Sequence, residues 1–166
     1  MNAVTNQSAI VLVVDDDPLM LTAVAAVLNI SGYECHVARD AEAAVKAARS
    51  LKLDLVVCDA RVDGDDGLDL CQELRQVSGA RDLPFILVSS QPSPDIVRRT
   101  HDEGGAYYLQ KPYDPDVLLE LVEKALWMPH LVNTRIERSQ ALGPPVPKGF
   151  SDASPAAAPD SAVAEG

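Results

Sequence analysis

Five short apolar runs, at residues 10–14, 34–37, 53–58, 84–88 and 106–109, alternate with segments of helical spacing, and that alternation restricts the fold more than any other feature. The first run, Ile10 to Val14, is uncharged and rich in β-branched residues, the pattern of a strand buried on both faces, as in a parallel sheet. The helical segments carry their own punctuation. Pro18 to Ile30 ends near Gly32; Asp40 precedes residues 41–50; residues 68–77 follow Gly67 and stop before Gly79. Ser93 and Pro94 open a fourth segment that ends at Gly104, and Asp114 and Pro115 open a fifth that runs to Trp127. In that last segment Leu118, Leu119, Leu121, Val122, Ala125 and Leu126 form an apolar stripe at helical spacing. These signals predict an α/β chain with a doubly wound, five-stranded parallel sheet and helices on both faces.

At 166 residues the chain has room for one ordinary domain and an appendage. Its composition predicts a flexible N-terminus at 1–8, a folded domain at 9–128, a connector at 129–142 and a disordered Ala/Pro-rich tail at 143–166. Thr134 and Glu137 have capping-box spacing, which makes a short helix in the connector one expectation. The formal net charge is −11, nearly all of it before Trp127, and a surface so acidic disfavours nucleic acid and anionic membrane as partners. Residues 1–9 carry no basic leader, and the apolar run after them is far too short to span a bilayer, so a cytoplasmic location is expected. Cys35, Cys58 and Cys71 are odd in number, widely spaced and set in apolar stretches; they are expected to be free buried thiols in a reducing compartment. His36, His101 and His130 have no partner at ligand spacing and are read as solvated or core residues.

In an alternating parallel sheet the ligand site lies at the carboxyl ends of the strands, so the residues just past each run belong together. They are Asp15 and Asp16 after the first, Asp59 after the third, Ser89 and Ser90 after the fourth, and Lys111 after the fifth. Asp15, Asp16 and Asp17 are consecutive, and like charges this close repel unless a cation sits among them; a hard divalent ion with oxygen ligands is the natural candidate. Asp17 before Pro18 also suits a helix N-cap. Carboxylates, a hydroxyl and a lysine on one edge suit phosphoryl chemistry with a metal, including covalent capture as an acyl phosphate.

With these motifs in order (VVDDDP, LVVCD followed by Asp66-Gly67, LVSS and LQKP), the chain resembles the receiver domain of two-component response regulators over roughly residues 8 to 128, in a single-domain form like the chemotaxis regulators. The resemblance implies a flavodoxin-like strand order, 2-1-3-4-5. It implies that Asp59 accepts the phosphoryl group, that Asp16, Asp59 and the backbone carbonyl of Arg61 bind Mg2+, and that Asp15 acts on the metal through water. Lys111 would pair with the phosphoryl group, and its bond to Pro112 would be cis. Ser89 and Tyr108 would form the switch that carries the change to the fourth helix, fifth strand and fifth helix, while Arg61 and Gln91 would tune the lifetime of the phosphoryl group. A histidine kinase or phosphotransfer protein would be the donor and an unidentified protein the downstream partner; a phosphorylation-dependent homodimer is compatible with this. The chain would be an acceptor that at most catalyses its own phosphorylation and dephosphorylation, with no output domain in the tail.

Tyr107 and Tyr108 alternate across a strand, so one is expected at the core and one at the surface. Asp63 stands where many receivers have proline, and the acidic segment from Val62 to Gly67 reads as flexible. Two rivals remain. A phosphatase of haloacid dehalogenase type also uses aspartate, hydroxyl and lysine, and Asp15 and Asp17 give its D-x-D spacing; it needs further acidic residues beyond the lysine, where Asp114 and Asp116 are the nearest. An adaptor that works unphosphorylated is the other.

Overall fold

The computed structural model describes residues 8–127. The expected connector at 129–142, with Thr134 and Glu137, the tail at 143–166, and all but the last residue of the N-terminal segment lie outside the described residues.

Among the described residues seven strands and five helices follow one another: β1 (Ile10–Val14), α1 (Pro18–Ile30), β2 (Glu34–Ala38), α2 (Ala41–Ser50), β3 (Leu55–Asp59), β4 (Arg61–Val62), β5 (Asp65–Asp66), α3 (Gly67–Ser78), β6 (Phe85–Ser89), α4 (Pro94–Asp102), β7 (Ala106–Gln110) and α5 (Pro115–Trp127). Five of the strands form one parallel sheet in the order β2-β1-β3-β6-β7, the expected 2-1-3-4-5 arrangement.

The period of two along each strand divides the core. Leu12, Val14, Val56, Cys58, Phe85 and Leu87 point to one face and pack with Ala44, Ala48, Leu68, Cys71 and Leu74 of α2 and α3. Their neighbours Val11, Val13, Leu55, Val57, Ile86 and Val88 point to the other and pack with Leu21, Val24 and Leu28 of α1 and Leu118, Val122 and Ala125 of α5. Side chains buried on both faces explain why the central runs are continuous rather than alternating.

Short polar side chains start the helices. Asp17 accepts the Leu19 N–H at 3.0 Å ahead of Pro18, and Asp40 accepts that of Ala43 at 2.8 Å. Asp66 accepts the Asp69 N–H at 3.0 Å, and Ser93 that of Ile96 at 3.2 Å. Gly79, in the left-handed region at φ 75°, ends α3.

Three expectations need correction. The segment after β3 is not loose: β4 and β5 pair antiparallel as a hairpin closed by Asp63 and Gly64, both with positive φ (52° and 87°). An Asp-Gly pair between short strands is the signal for such a turn, and proline at position 63 could not adopt its φ. Cys35 is half-buried, because β2 is an edge strand, whereas Cys58 and Cys71 are buried. Tyr107 and Tyr108 do point to opposite faces of β7, but both are half-buried, since helices cover both faces of the sheet.

Candidate functional site

The carboxyl ends of β1, β3, β6 and β7 deliver the predicted residues to one place. Asp15, just past β1, is 4 % exposed, and the Asp17 N–H donates to its Oδ1 at 2.9 Å. Asp59 ends β3, and its Oδ1 accepts the Arg61 N–H at 3.2 Å. Lys111, just past β7, donates from Nζ to Asp59 Oδ2 at 3.0 Å and to Asp15 Oδ2 at 3.2 Å. Its backbone N–H donates to the Ser89 carbonyl at 2.8 Å, so the last turns of β6 and β7 are locked together. The Lys111-Pro112 peptide is cis, as the resemblance implies.

Burial pushes the Asp15 carboxyl above its ordinary pKa, and the nearby Asp59 charge adds to this; the bonds from Asp17 and Lys111 only partly offset it. Burial also works against the Lys111 ammonium, but the bond to Asp59 and the charges of both aspartates win, and its pKa is raised.

Asp16 is exposed, and its Oδ2 accepts the Asp63 N–H from the hairpin turn at 2.9 Å. Asp15, Asp16 and Asp59 each bring one oxygen into a group whose members lie within 4.8 Å of one another. Three carboxylates against one ammonium leave excess negative charge, and an all-oxygen donor set of this kind suits a hard divalent cation. The donor set therefore fits Mg2+.

Ser89 is 5 % exposed at the end of β6, and its Oγ accepts the Gln91 N–H at 3.1 Å. Asp16, Asp59, Arg61, Ser89 and Gln91 line one open cleft of about 580 Å³, together with Arg99 from α4. Tyr108 packs against the core cluster on the α2 and α3 face of the sheet, and its hydroxyl is buried without a hydrogen-bond partner.

Arg99 was not legible as a site residue. It pairs with Asp66 at 3.1 Å and Asp69 at 3.0 Å, joining α4 to the start of α3 across the cleft. No motif marks it, because its role depends on two helices meeting in space. The haloacid dehalogenase pattern fares poorly: Asp17 caps α1, and Asp114 Oδ1 accepts the Asp116 N–H at 2.9 Å at the start of α5. Of the histidines read as solvated or core residues, His36 meets Glu34 along β2 at 2.8 Å, away from the cleft.

A family model for the response regulator receiver domain matches residues 11–123. Over 116 residues the chain is 33 % identical to the DNA-binding response regulator MtrA of Mycolicibacterium smegmatis, an alignment covering 70 % of this chain and 50 % of that one. Over 123 residues it is 32 % identical to the transcriptional regulatory protein GlrR of Escherichia coli, covering 74 % of this chain and 27 % of the relative. The chain thus spans about half the length of the first relative and about a quarter of the second. Among solved structures, the chemotaxis protein CheY4 of Vibrio cholerae superposes with a TM-score of 0.68 at 26 % identity, covering 72 % of this chain and 100 % of that one. The signal receiver domain of an HD domain-containing protein from Pseudomonas fluorescens superposes with a TM-score of 0.67 at 30 % identity, covering 75 % and 98 %.

Proposed function

Because the chain belongs to the response regulator receiver domain family, we propose that it takes a phosphoryl group onto Asp59 from the phosphohistidine of a histidine kinase or phosphotransfer protein. A carboxylate oxygen of Asp59 forms the new P–O bond while the P–N bond to the donor imidazole breaks, and the electron pair leaves on that imidazole nitrogen. The product is an acyl phosphate. The single observation that carries this reading is the Lys111 ammonium bridging Asp59 and Asp15 at 3.0 and 3.2 Å.

Asp16, Asp59 and the Arg61 carbonyl, with Asp15 through water, are the groups that would hold Mg2+, which supplies positive charge to the transferring phosphoryl oxygens. Lys111 supplies the protein's own cation there, and its rigid attachment to β6 keeps it in place as charge develops. Ser89 uses its oxygen to accept the Gln91 N–H, which leaves its hydroxyl hydrogen for a phosphoryl oxygen. Tyr108, whose hydroxyl has no partner in the present pose, is the second switch residue. Arg61 and Gln91, exposed at the mouth of the cleft, tune the access of water to the acyl phosphate. In this account the chain is an acceptor rather than an enzyme with turnover.

The output is binding to another protein. MtrA is a DNA-binding response regulator, but this chain matches only half of its length, and a net charge of −11 works against direct contact with DNA. Free thiols at Cys35, Cys58 and Cys71 suit a reducing, cytoplasmic setting.

Acetyl phosphate with Mg2+ tests the assignment by intact mass. Wild type should gain one labile phosphate and Asp59→Asn none; incorporation that persists in Asp59→Asn would overturn it.

A further inference from the structure

Asp63 is the only non-glycine residue with positive φ among the described residues, at 52°. That region strains an ordinary side chain, although aspartate tolerates it better than most. What the conformation places is main chain: the Asp63 N–H donates to Asp16 Oδ2 at 2.9 Å, across 47 positions of sequence.

The turn that carries this donor is held from both sides. Arg61 pairs with Asp66 and Val62 with Asp65, and the Val62 side chain is fully buried. The Arg61 N–H donates to Asp59 Oδ1 at 3.2 Å, and the Gly67 N–H donates to the Ala60 carbonyl at 2.7 Å. Asp16, by contrast, is exposed and has no buried packing to choose its rotamer. A carboxylate offers about four acceptor sites, so one donor leaves room for a cation.

From this we infer that Asp63 is a positioning residue for the metal centre: its positive-φ turn aims a backbone N–H that holds the Asp16 carboxylate in the ligand pose before the cation arrives. The inference rests on the reading of Asp16 as a metal ligand. Partners that orient a metal ligand typically change metal affinity by about 10–100-fold.

The test is calorimetric titration of the full chain with Mg2+ alone, without phosphodonor. Asp63→Asn and Asp63→Gly keep the N–H and accept positive φ, so both should bind within about 3-fold of wild type. Asp63→Pro lacks the N–H and is locked at negative φ, and it should bind about 10–100-fold more weakly. Equal affinity in Asp63→Pro and wild type would overturn the inference, as would Asn and Gly variants as weak as the Pro variant. Wild type that binds no Mg2+ would instead overturn the functional reading beneath it. Should Asp63→Pro fail to fold, amide exchange decides: the Asp63 N–H should exchange more slowly in wild type than in Asp16→Ala. Equal rates would overturn the inference.

Discussion

Lys111 reaches across 52 positions of sequence to place its ammonium 3.0 Å from the carboxylate of Asp59, with both side chains largely buried. It is the counter-charge of a crowded acid site, and it competes with any divalent ion for the same oxygens. Lys111→Met should destabilise the metal-free protein by about 1–3 kcal/mol, because it leaves buried carboxylates unpaired. The same variant should bind Mg2+ several-fold more tightly. Urea unfolding in chelator and a Mg2+ titration read the two effects, and weaker Mg2+ binding would count against this account.

Asp15 has the opposite sign. Its folded-state pKa lies above its ordinary value of 3.8, chiefly through burial. The protonated form is therefore favoured by folding; its contribution is fully present below pH 3.8 and is lost as pH rises through the folded-state value. At neutral pH, without metal, the Asp15 carboxylate works against the fold. Asp15→Asn should raise the melting temperature in chelator at pH 7 and gain less from added Mg2+ than wild type does. A lower melting temperature for the variant in chelator would contradict the sign.

Gly67 is required by contact rather than by φ. A Cβ there would lie 1.9 Å from the Asp59 carbonyl oxygen and 3.0 Å from Ala60 carbonyl carbon, both backbone atoms that cannot swing away. Gly67→Ala should cost more than about 3 kcal/mol. At Gly64 a Cβ meets nothing within 4 Å, but φ is 87°, so Gly64→Ala should cost only about 1–2 kcal/mol. Thermal denaturation of the two variants should rank them in that order.

Two arginines separate buried from exposed pairing. Arg75, only 11 % exposed, donates to the carbonyls of Leu83 and Gly104, pairs with Glu103 at 3.4 Å and lies over the Phe85 ring at 4.6 Å. Arg75→Ala should cost about 3 kcal/mol, since it leaves the part-buried Leu83 carbonyl and Glu103 carboxylate unmet and removes the packing on Phe85. Arg99, 34 % exposed, should cost no more than about 1 kcal/mol when replaced by alanine. Denaturant midpoints compare them directly.

The sheet and the strand-end residues were legible because they depend on local pattern: continuous apolar runs, caps such as Asp17 and Asp40, and charged residues where the runs stop; the strand order is not local, and only the family resemblance implied it. The hairpin at 61–66 is masked by its charge, which reads as flexibility, although Asp63-Gly64 carries a turn signal. The Arg75 clamp and the Arg99 bridge were illegible for another reason. Arg75 of α3 reaches Glu103, just past α4 and 28 positions on, and Arg99 of α4 reaches Asp66 and Asp69 at the start of α3; nothing local to either arginine announces these partners. Half-burial of both Tyr107 and Tyr108 likewise follows from helices packed over an edge strand, which period two alone does not reveal.

The bond from Lys111 to Asp15 spans 96 positions, nearly the whole length of the sheet-forming chain. During synthesis the three acidic residues leave the ribosome long before their counter-charge does, and an N-terminal portion carrying β1 to β3 holds repelling carboxylates with no ammonium among them. Such a fragment has the carboxylates and no built site. The cluster of Asp15, Asp59 and Lys111 therefore comes into being only when β7 docks, so a truncated or half-made copy lacks it.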